Sequence, residues 1–235
     1  MEPVTLSHVS KTYHLDEVDV RALVDVDLEI RPNCFTVISG PSGSGKSTLL
    51  NMIGCIDQPD HGEVCVAGQA VRNMSDDALS DFRARHIGFI FQNFNLLPVL
   101  TVFENVEYPM VLARIPRAER KRRVDSLLEA VGLADRATNI PGQLSGGQRQ
   151  RVAIARALAP APSFVMADEP TANLDSQTGA AIIDLMRHMQ RERQVSFVFS
   201  SHDPKVLAAA DDAVMIRDGR IENIERREAR AESAR

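Results

Sequence analysis

The sequence predicts an α/β fold, in which strands form a core and a mainly helical segment is inserted between them. Residues 4–9 and 24–30 alternate polar and apolar side chains, which indicates strands with one buried face. Residues 34–39 are more uniformly apolar, as expected for a strand buried on both faces. From about residue 93 to 156 the pattern becomes helical. Apolar residues recur there at helical spacing at Val124, Leu127, Leu128 and Val131.

The other elements continue this mixture of strands and helices. The patterns predict a helix over 46–53, a strand over 62–68, strands over 164–167 and 195–200, and a helix near 180–191. Residues 214–221 are typical of a hairpin with an Asp-Gly turn. The charged tail from Arg226 is expected to be a frayed helix or disordered.

The composition suits one large globular domain, or a domain with a subdomain, because 44% of the 235 residues are hydrophobic. A net charge of -5 argues against general binding to nucleic acids. No apolar run approaches the roughly 18–20 residues that span a bilayer, and the N-terminus lacks a secretory pattern. We therefore expect a soluble intracellular chain that binds no nucleic acid. Buried, reduced thiols are expected at Cys34, Cys55 and Cys65.

A glycine-rich loop follows the strand over 34–39 and fits the phosphate-loop pattern G-x-x-x-x-G-K-[ST]. Backbone N–H groups from Ser42 to Lys46 would form a cradle for a β-phosphate at a helix N-terminus. Lys46 would contact the β- and γ-phosphates, and the Ser47 hydroxyl would bind Mg²⁺. The expected nucleotide-binding residues here are Gly40, Pro41, Ser42, Gly43, Ser44, Gly45, Lys46, Ser47 and Thr48.

Two adjacent carboxylates end the buried strand over 164–167. Asp168 at the strand end would lie beside the metal ion, usually through a water molecule. Strand alternation would point Glu169 elsewhere, towards the γ-phosphate. Glu169 is therefore expected to orient and polarise the attacking water as a general base.

Between these sites in the sequence lies Leu144-Ser145-Gly146-Gly147-Gln148, which resembles the signature of ATP-binding-cassette (ABC) ATPases. The resemblance covers nearly the whole chain. It implies a P-loop NTPase core with an N-terminal antiparallel β subdomain and an inserted α-helical subdomain, and it implies ATP and Mg²⁺ as ligands. Residues 144–148 would then contact the ATP held by a partner subunit, with the Ser145 hydroxyl and backbone N–H groups facing its γ-phosphate.

The resemblance also assigns roles to four further residues. Tyr13 is similar to the aromatic residue that stacks on adenine, and Gln92 to the glutamine that reaches the metal and senses the γ-phosphate. Asp175 belongs to the loop that links the two sites across a dimer, and His202 to the histidine that contacts the γ-phosphate. The expected catalytic residues are Lys46, Gln92, Glu169 and His202, and the expected metal ligands are Ser47, Gln92 and Asp168.

The expected domain boundaries follow from the same resemblance. The ABC ATPase domain would cover residues 1–225, with a core and β subdomain from 1–92 and 157–225 and a helical signature subdomain from 93–156. Residues 226–235 would be a charged tail. DNA-repair or chromosome-type ABC ATPases carry long heptad inserts or zinc modules, and translation-associated ones carry two cassettes. The chain has none of these features, which favours the motor subunit of a membrane transporter.

Residues 88–109 and an extended loop over 13–23 are similar to the lipoprotein-release and macrolide-export branch of the family. The ATPase subunit of an amino-acid importer is the alternative. The expected partners are a second ATPase subunit, as a homodimer or a pair, an integral membrane subunit and a periplasmic adaptor. Residues 94–110 are the expected contact for the membrane subunit, which would place the chain on the cytoplasmic face of the inner (plasma) membrane.

Overall fold

The computed structural model describes residues 4–15, 18–72 and 74–227. The strands are β1 (Val4–Leu15), β2 (Val18–Ile30), β3 (Phe35–Ser39), β4 (His61–Val66), β5 (Gln69–Ala70), β6 (Ile87–Ile90), β7 (Phe164–Asp168), β8 (Ser196–Ser200), β9 (Asp212–Arg217) and β10 (Arg220–Arg226). The helices are α1 (Lys46–Ile53), α2 (Asp76–His86), α3 (Val102–Leu112), α4 (Arg117–Ala130), α5 (Gly146–Leu158), α6 (Ser176–Arg193) and α7 (Pro204–Ala209). Two compact units result, Met1–Asn73 with Ser196–Arg235, and Met74–Val195.

The first unit contains two groups of paired strands. One is an antiparallel sheet in the order β2-β1-β4-β5. In the other, β3 lies between β8 and β9 and runs parallel to both, while β10 pairs antiparallel with β9. The carboxyl ends of β3 and β8 therefore meet at one edge, where parallel sheets commonly bind ligands. The phosphate loop follows β3, and the segment that contains His202 follows β8.

The prediction of a fully buried strand over 34–39 is confirmed, since all five residues of β3 are buried. The Phe35 ring centroid lies 4.7 Å from that of Phe199 and 5.9 Å from that of Phe197. Aromatic pairs in such tilted arrangements add about 0.5–1.5 kcal/mol beyond area burial. This packing fixes β3 against β8. The predicted helix over 46–53 is also confirmed, and α1 has those bounds.

The second unit is mainly helical and contains one parallel strand pair, β6 with β7, in register from Ile87↔Phe164 to Ile90↔Ala167. Helix α5 packs against α3, α4 and α6. The residues predicted to form the apolar face of α4 and its C-terminal turn are all buried, namely Val124, Leu127, Leu128 and Val131. The signature segment is therefore attached to a helix that is held by packing on several sides.

Two expectations about local structure were wrong. Residues 13–15 and 18–23, expected to lie in an extended loop, belong to the two strands of a hairpin, in which β1 continues to Leu15 and Tyr13 lies opposite Val20. Antiparallel backbone pairing holds this hairpin although the side chains at its outer end are exposed. Arg226, expected to begin the tail, is the last residue of β10 and pairs with Asp212. Residues 228–235, with the rest of the predicted tail, lie outside the described residues.

The cysteine prediction holds for one thiol. Cys55 is fully buried, whereas Cys34 and Cys65 are only half-buried. Within residues 4–15, 18–72 and 74–227, none of the helices combines the length and apolar character needed to cross a bilayer.

Candidate nucleotide site

The phosphate loop has the strand–loop–helix context that the sequence predicts. It leaves β3 at Ser39 and enters α1 at Lys46, with Gly45 at the N-cap in a left-handed conformation, φ 103°. A Cβ atom on Gly45 would lie 2.4 Å from the Ala22 carbonyl oxygen, and one on Gly40 would lie 2.1 Å from the Ile216 carbonyl oxygen. Both distances are too short for any side chain, so the backbone requires glycine at both positions.

The N-terminus of α1 is open to a ligand. It has no side-chain cap and no acidic residue in its first turn. The first backbone N–H groups of a helix have no partner within the helix, and together with the helix dipole they favour an anion. The Ser47 side chain, in the same turn, is exposed. These features fit a bound phosphate with an adjoining cation.

Lys46 is held over the same loop. Its Nζ donates hydrogen bonds to the carbonyl oxygens of Gly40, at 2.9 Å, and Pro41, at 2.7 Å. An ammonium group has three protons to donate, so one is left for a further acceptor. The Ser44 hydroxyl, inside the loop, is buried and has no hydrogen-bond partner among the described residues. The loop thus holds a cation and a buried donor beside the open helix end.

Tyr13 lies in the same unit and is half-buried. Its hydroxyl donates to Asp57 Oδ2 at 2.9 Å, and it also interacts with the Thr48 side chain in the first turn of α1. Burial raises the pKa of Tyr13, and the hydrogen bond to Asp57 raises it further. The predicted adenine-binding ring is therefore attached to the helix that follows the phosphate loop. His202, expected at the γ-phosphate, lies exposed two residues after the end of β8.

The second unit contains the paired carboxylates. Residues 164–167 of β7 are buried, Asp168 is exposed at the strand end, and Glu169 is half-buried. Strand alternation does not orient Glu169 as expected, because β7 ends at Asp168. Glu169 instead adopts a left-handed conformation, φ 46°. Such a conformation in a non-glycine residue is held by the surrounding structure, and it recurs at functional sites.

Gln150 is a residue of this region that sequence reasoning missed. Its side chain is 1% exposed, and its Nε2 donates to the Pro170 carbonyl oxygen at 2.7 Å. This bond connects α5 to the turn that contains Glu169. The signal in the sequence was a glutamine on the apolar face of a helix, where a buried amide needs a specific partner.

The loops that contain Gln92 and Asp175 are also connected within this unit. Gln92 is exposed, and its carbonyl oxygen accepts a hydrogen bond from Asn173 Nδ2 at 3.0 Å. The same amide nitrogen donates to Asn93 Oδ1 at 3.1 Å. Asp175 is the N-cap of α6, where Oδ1 accepts from the N–H groups of Gln177 and Thr178. The exposed Asp175 carboxylate is thus engaged in capping a helix, a role the sequence analysis did not assign to it.

The signature segment begins α5, as predicted. Ser145 is the N-cap, and its Oγ accepts from the Gln148 N–H at 3.3 Å while Gln148 Oε1 accepts from the Ser145 N–H at 2.9 Å. This reciprocal pair is a capping box. Ser145 still has its hydroxyl proton to donate. Leu144 is buried, whereas Ser145 is exposed. A Cβ on Gly147 would lie 2.6 Å from Thr178 Cγ2, so a larger residue there would have to displace the Thr178 side chain on α6.

Comparison with known proteins identifies the family. A family model described as "ABC transporter" matches residues 23–172. An ABC transporter ATP-binding protein of Thermotoga maritima is 52% identical over 94% of both chains. The macrolide export ATP-binding/permease protein MacB of Syntrophobacter fumaroxidans is 43% identical over 94% of this chain, which spans 31% of that protein.

The solved structures agree with this result. The ATP-binding cassette MJ0796, solved as a dimer in a post-hydrolysis state with ADP and Pi, is 42% identical. It matches with a TM-score of 0.86 over 96% of this chain and 99% of its own. The predicted P-loop NTPase fold of an ABC ATPase is confirmed. The chain belongs to the ABC transporter family and is an ATPase domain of that family.

Proposed function

We propose that this chain is the motor subunit of a membrane transporter for lipoprotein release or macrolide-type export. The open N-terminus of α1 beside Lys46 carries the ATP-binding part of this proposal. The export assignment is supported by similarity to MacB-type proteins of several bacteria along at least 93% of this chain. These relatives join an ATP-binding part to a permease in one protein, so we infer that this chain also works with a membrane permease.

The chain's own residues account for nucleotide binding. Backbone N–H groups at the start of α1 bind phosphate oxygens, and the third Lys46 proton is donated to the β- or γ-phosphate. Ser47, Gln92 and Asp168 would hold Mg²⁺, which when bound neutralises charge on the β- and γ-phosphates. Tyr13 offers a ring face for adenine, and stacking of a base on an aromatic side chain contributes about 1–3 kcal/mol.

Hydrolysis needs a base for the attacking water and a hydrogen-bond donor for the negative charge on the γ-phosphate. We assign Glu169 to accept a proton from the attacking water, and His202 to donate a hydrogen bond to a γ-phosphate oxygen. The left-handed turn at Glu169 and the bond from Gln150 to Pro170 fix the backbone that carries this carboxylate. Asn173 donates a hydrogen bond to the backbone of Gln92 in the same unit, which joins the two loops directly.

The signature segment is assigned to the partner's nucleotide. Residues 144–148 contain no cation, and the N-terminus of α5 is already capped by its own side chains. It can donate the Ser145 hydroxyl and remaining N–H groups to a γ-phosphate that another chain holds. Two chains related by a twofold axis would then share two ATP molecules. Loss of the bridging phosphate would open the dimer and drive the membrane subunit.

We assign the contact with the membrane subunit to an exposed apolar surface of the second unit. Part of the predicted 94–110 contact segment packs inside, since Val102, Val106 and Met110 are buried. Val99, which is 84% exposed, and Tyr108 face outward with Leu112 of the same helical region. A groove nearby has apolar walls and two arginines, and is lined by Arg83, Phe89, Phe91, Pro109, Leu112 and Arg156.

This groove fits a short amphipathic segment whose apolar side chains face its walls. Such a segment on the cytoplasmic side of a membrane subunit would place the chain at the inner (plasma) membrane. Export across a second membrane would add a periplasmic adaptor.

The test of the proposed function compares two glutamate-to-glutamine variants. Glu169→Gln should bind ATP as the wild type does, lower hydrolysis by about a hundredfold or more, and accumulate as an ATP-dependent dimer in size-exclusion chromatography. Glu192→Gln, at an exposed position of α6, is the matched control and should change neither property. Hydrolysis by Glu169→Gln at the wild-type rate would refute the base assignment.

A further inference from the structure

The outer end of β1 stays paired with β2, but on its other side it leaves β4 and attaches to the segment that follows α1. Pairing of β1 with β4 ends at Ser10↔His61. Beyond that point the Thr12 N–H donates to Asp60 Oδ2 at 2.7 Å, and the Asp60 N–H donates to the Ser10 carbonyl oxygen at 3.0 Å. Tyr13 is thus carried by a strand end that residues 57–60 hold.

Asp57 is the centre of this attachment. Its Oδ2 accepts from the Tyr13 hydroxyl at 2.9 Å, and its Oδ1 accepts from Lys11 Nζ at 3.0 Å. Lys11 Nζ also donates to the Gln58 carbonyl oxygen at 2.8 Å and lies 5.4 Å from the Tyr13 ring centroid. One carboxylate therefore fixes the hydroxyl end of the ring, while the cation that it binds contacts the ring itself.

The backbone at Asp57 is hydrogen-bonded to the last turn of α1. The Ile56 and Asp57 N–H groups both donate to the Asn51 carbonyl oxygen, at 2.9 and 3.4 Å. The Thr48 side chain interacts with Tyr13 from the first turn of the same helix. The ring is therefore held by groups near both ends of α1, whose N-terminus carries the phosphate loop.

The charge states agree with this geometry. Burial alone would raise the pKa of Asp57, but hydrogen bonds from Lys11 and Tyr13 outweigh it and the pKa is lowered. Burial lowers the pKa of Lys11, but its contacts with Asp57 and Asp60 prevail and the pKa is raised. At neutral pH the network thus contains an ionised carboxylate, an ammonium group and a phenol that donates its proton.

We propose that Asp57 is a positioning residue that sets the adenine contribution to ATP binding. It holds the Tyr13 ring at a fixed place relative to the phosphate loop, so that base and triphosphate bind together without further ordering of the ring. Lys11 neutralises Asp57, which limits repulsion between this carboxylate and the phosphates. This inference rests on the proposed roles of Tyr13 and the phosphate loop.

The test compares ATP with inorganic tripolyphosphate, which has the charged groups but no base. Both are titrated into the full chain by calorimetry in one magnesium-containing buffer. Asp57→Ala should weaken ATP binding about tenfold and leave tripolyphosphate binding unchanged, because the lost hydrogen bond acts only on the ring. Tyr13→Phe should also weaken ATP binding. The combined Tyr13→Phe/Asp57→Ala variant should lose less ATP-binding free energy than the sum of the two single losses.

Two further variants make the test specific. Asp57→Asn keeps an acceptor for Tyr13 and should fall between the wild type and Asp57→Ala. Asp60→Ala removes a carboxylate that contacts Lys11 and the Thr12 N–H, whereas the Tyr13 hydroxyl donates to Asp57. It should therefore change the ATP-to-tripolyphosphate ratio less than Asp57→Ala does. Retained tripolyphosphate binding also verifies that each variant is folded.

The possible failures can be told apart. Equal weakening of ATP and tripolyphosphate by Asp57→Ala, or no weakening of either, would overturn the role of Asp57. A wild-type chain that binds tripolyphosphate as tightly as ATP would instead overturn the role of Tyr13 in the proposed function. A wild-type chain that binds neither would overturn the phosphate-loop assignment itself.

Discussion

The N-termini of α1 and α5 both lie in glycine-rich segments, yet they differ in how their backbone donors are used. Helix α1 starts after Gly45 with no side-chain cap, and Lys46 lies over its loop. Helix α5 starts after Ser145 with a complete capping box formed with Gln148. An open helix end beside a lysine that lies over its loop can hold an anion by itself, whereas an end capped by its own side chains has fewer free donors to offer.

This difference explains why one chain would bind ATP but need a second chain to complete the site. The phosphate loop supplies the charge and the cradle. The signature segment is preorganised by its own side chains, so in the proposed dimer it would add a few directed donors with little ordering when the two chains close. Substitutions at the two helix ends should therefore have different effects. At α1 they should weaken ATP binding, and at α5 they should weaken association of the two chains around ATP.

The largest effect is expected at the open end. Lys46→Ala should weaken ATP binding by about a hundredfold or more, since charge-assisted contacts to phosphate are among the strongest hydrogen bonds. Equilibrium binding of a fluorescent ATP analogue measures this. Lys205→Ala, which changes an exposed lysine of the same unit, is the control and should bind normally. Normal ATP affinity in Lys46→Ala would show that the cation beside α1 does not hold the phosphates, and the proposed difference between α1 and α5 would be wrong.

An intermediate effect is expected at the capped end. Ser145→Ala should lower the free energy of unfolding by about 1 kcal/mol, as loss of an N-cap usually does, and should reduce hydrolysis. ATP affinity of the single chain should stay at the wild-type value. Ser145→Asn keeps a capping side chain and should recover the stability. Urea unfolding measures the first effect, and unchanged stability in Ser145→Ala would show that the capping box contributes nothing.

The smallest effect is expected on the pH dependence of stability. It concerns the N-terminus of α6, which is capped by the ionisable side chain of Asp175. Hydrogen bonds from the Thr178 side chain and N–H lower the pKa of Asp175 below its usual 3.8. Its contribution to stability is therefore present above about pH 3.8 and is lost as the pH falls through the lowered value. Asp175→Asn should remove this part of the acid dependence. The free energy of unfolding of the wild type and of Asp175→Asn is measured between pH 5 and pH 2.5. A difference between them that stays constant over this range would contradict the capping role of the ionised Asp175.

Local patterns predicted the elements that carry the phosphate loop. The uniformly apolar residues of β3 and the glycine-rich pattern after them were enough to predict where α1 begins, because both signals lie in consecutive residues of the sequence. The orientation of Glu169 was not predictable in this way, since a left-handed turn replaces strand geometry at that residue. The bonds from Asp57 to Lys11 and Tyr13 join residues more than 40 positions apart, which no local pattern contains.

In the proposed dimer, the phosphate loop of one chain works with the signature segment of another. The direct test is to mix two inactive variants, Lys46→Ala and Ser145→Arg, and to measure ATP hydrolysis. A mixed dimer retains one site with an intact phosphate loop from one chain and an intact signature segment from its partner. The mixture should therefore hydrolyse ATP when neither variant does alone. A mixture as inactive as its components would contradict the account.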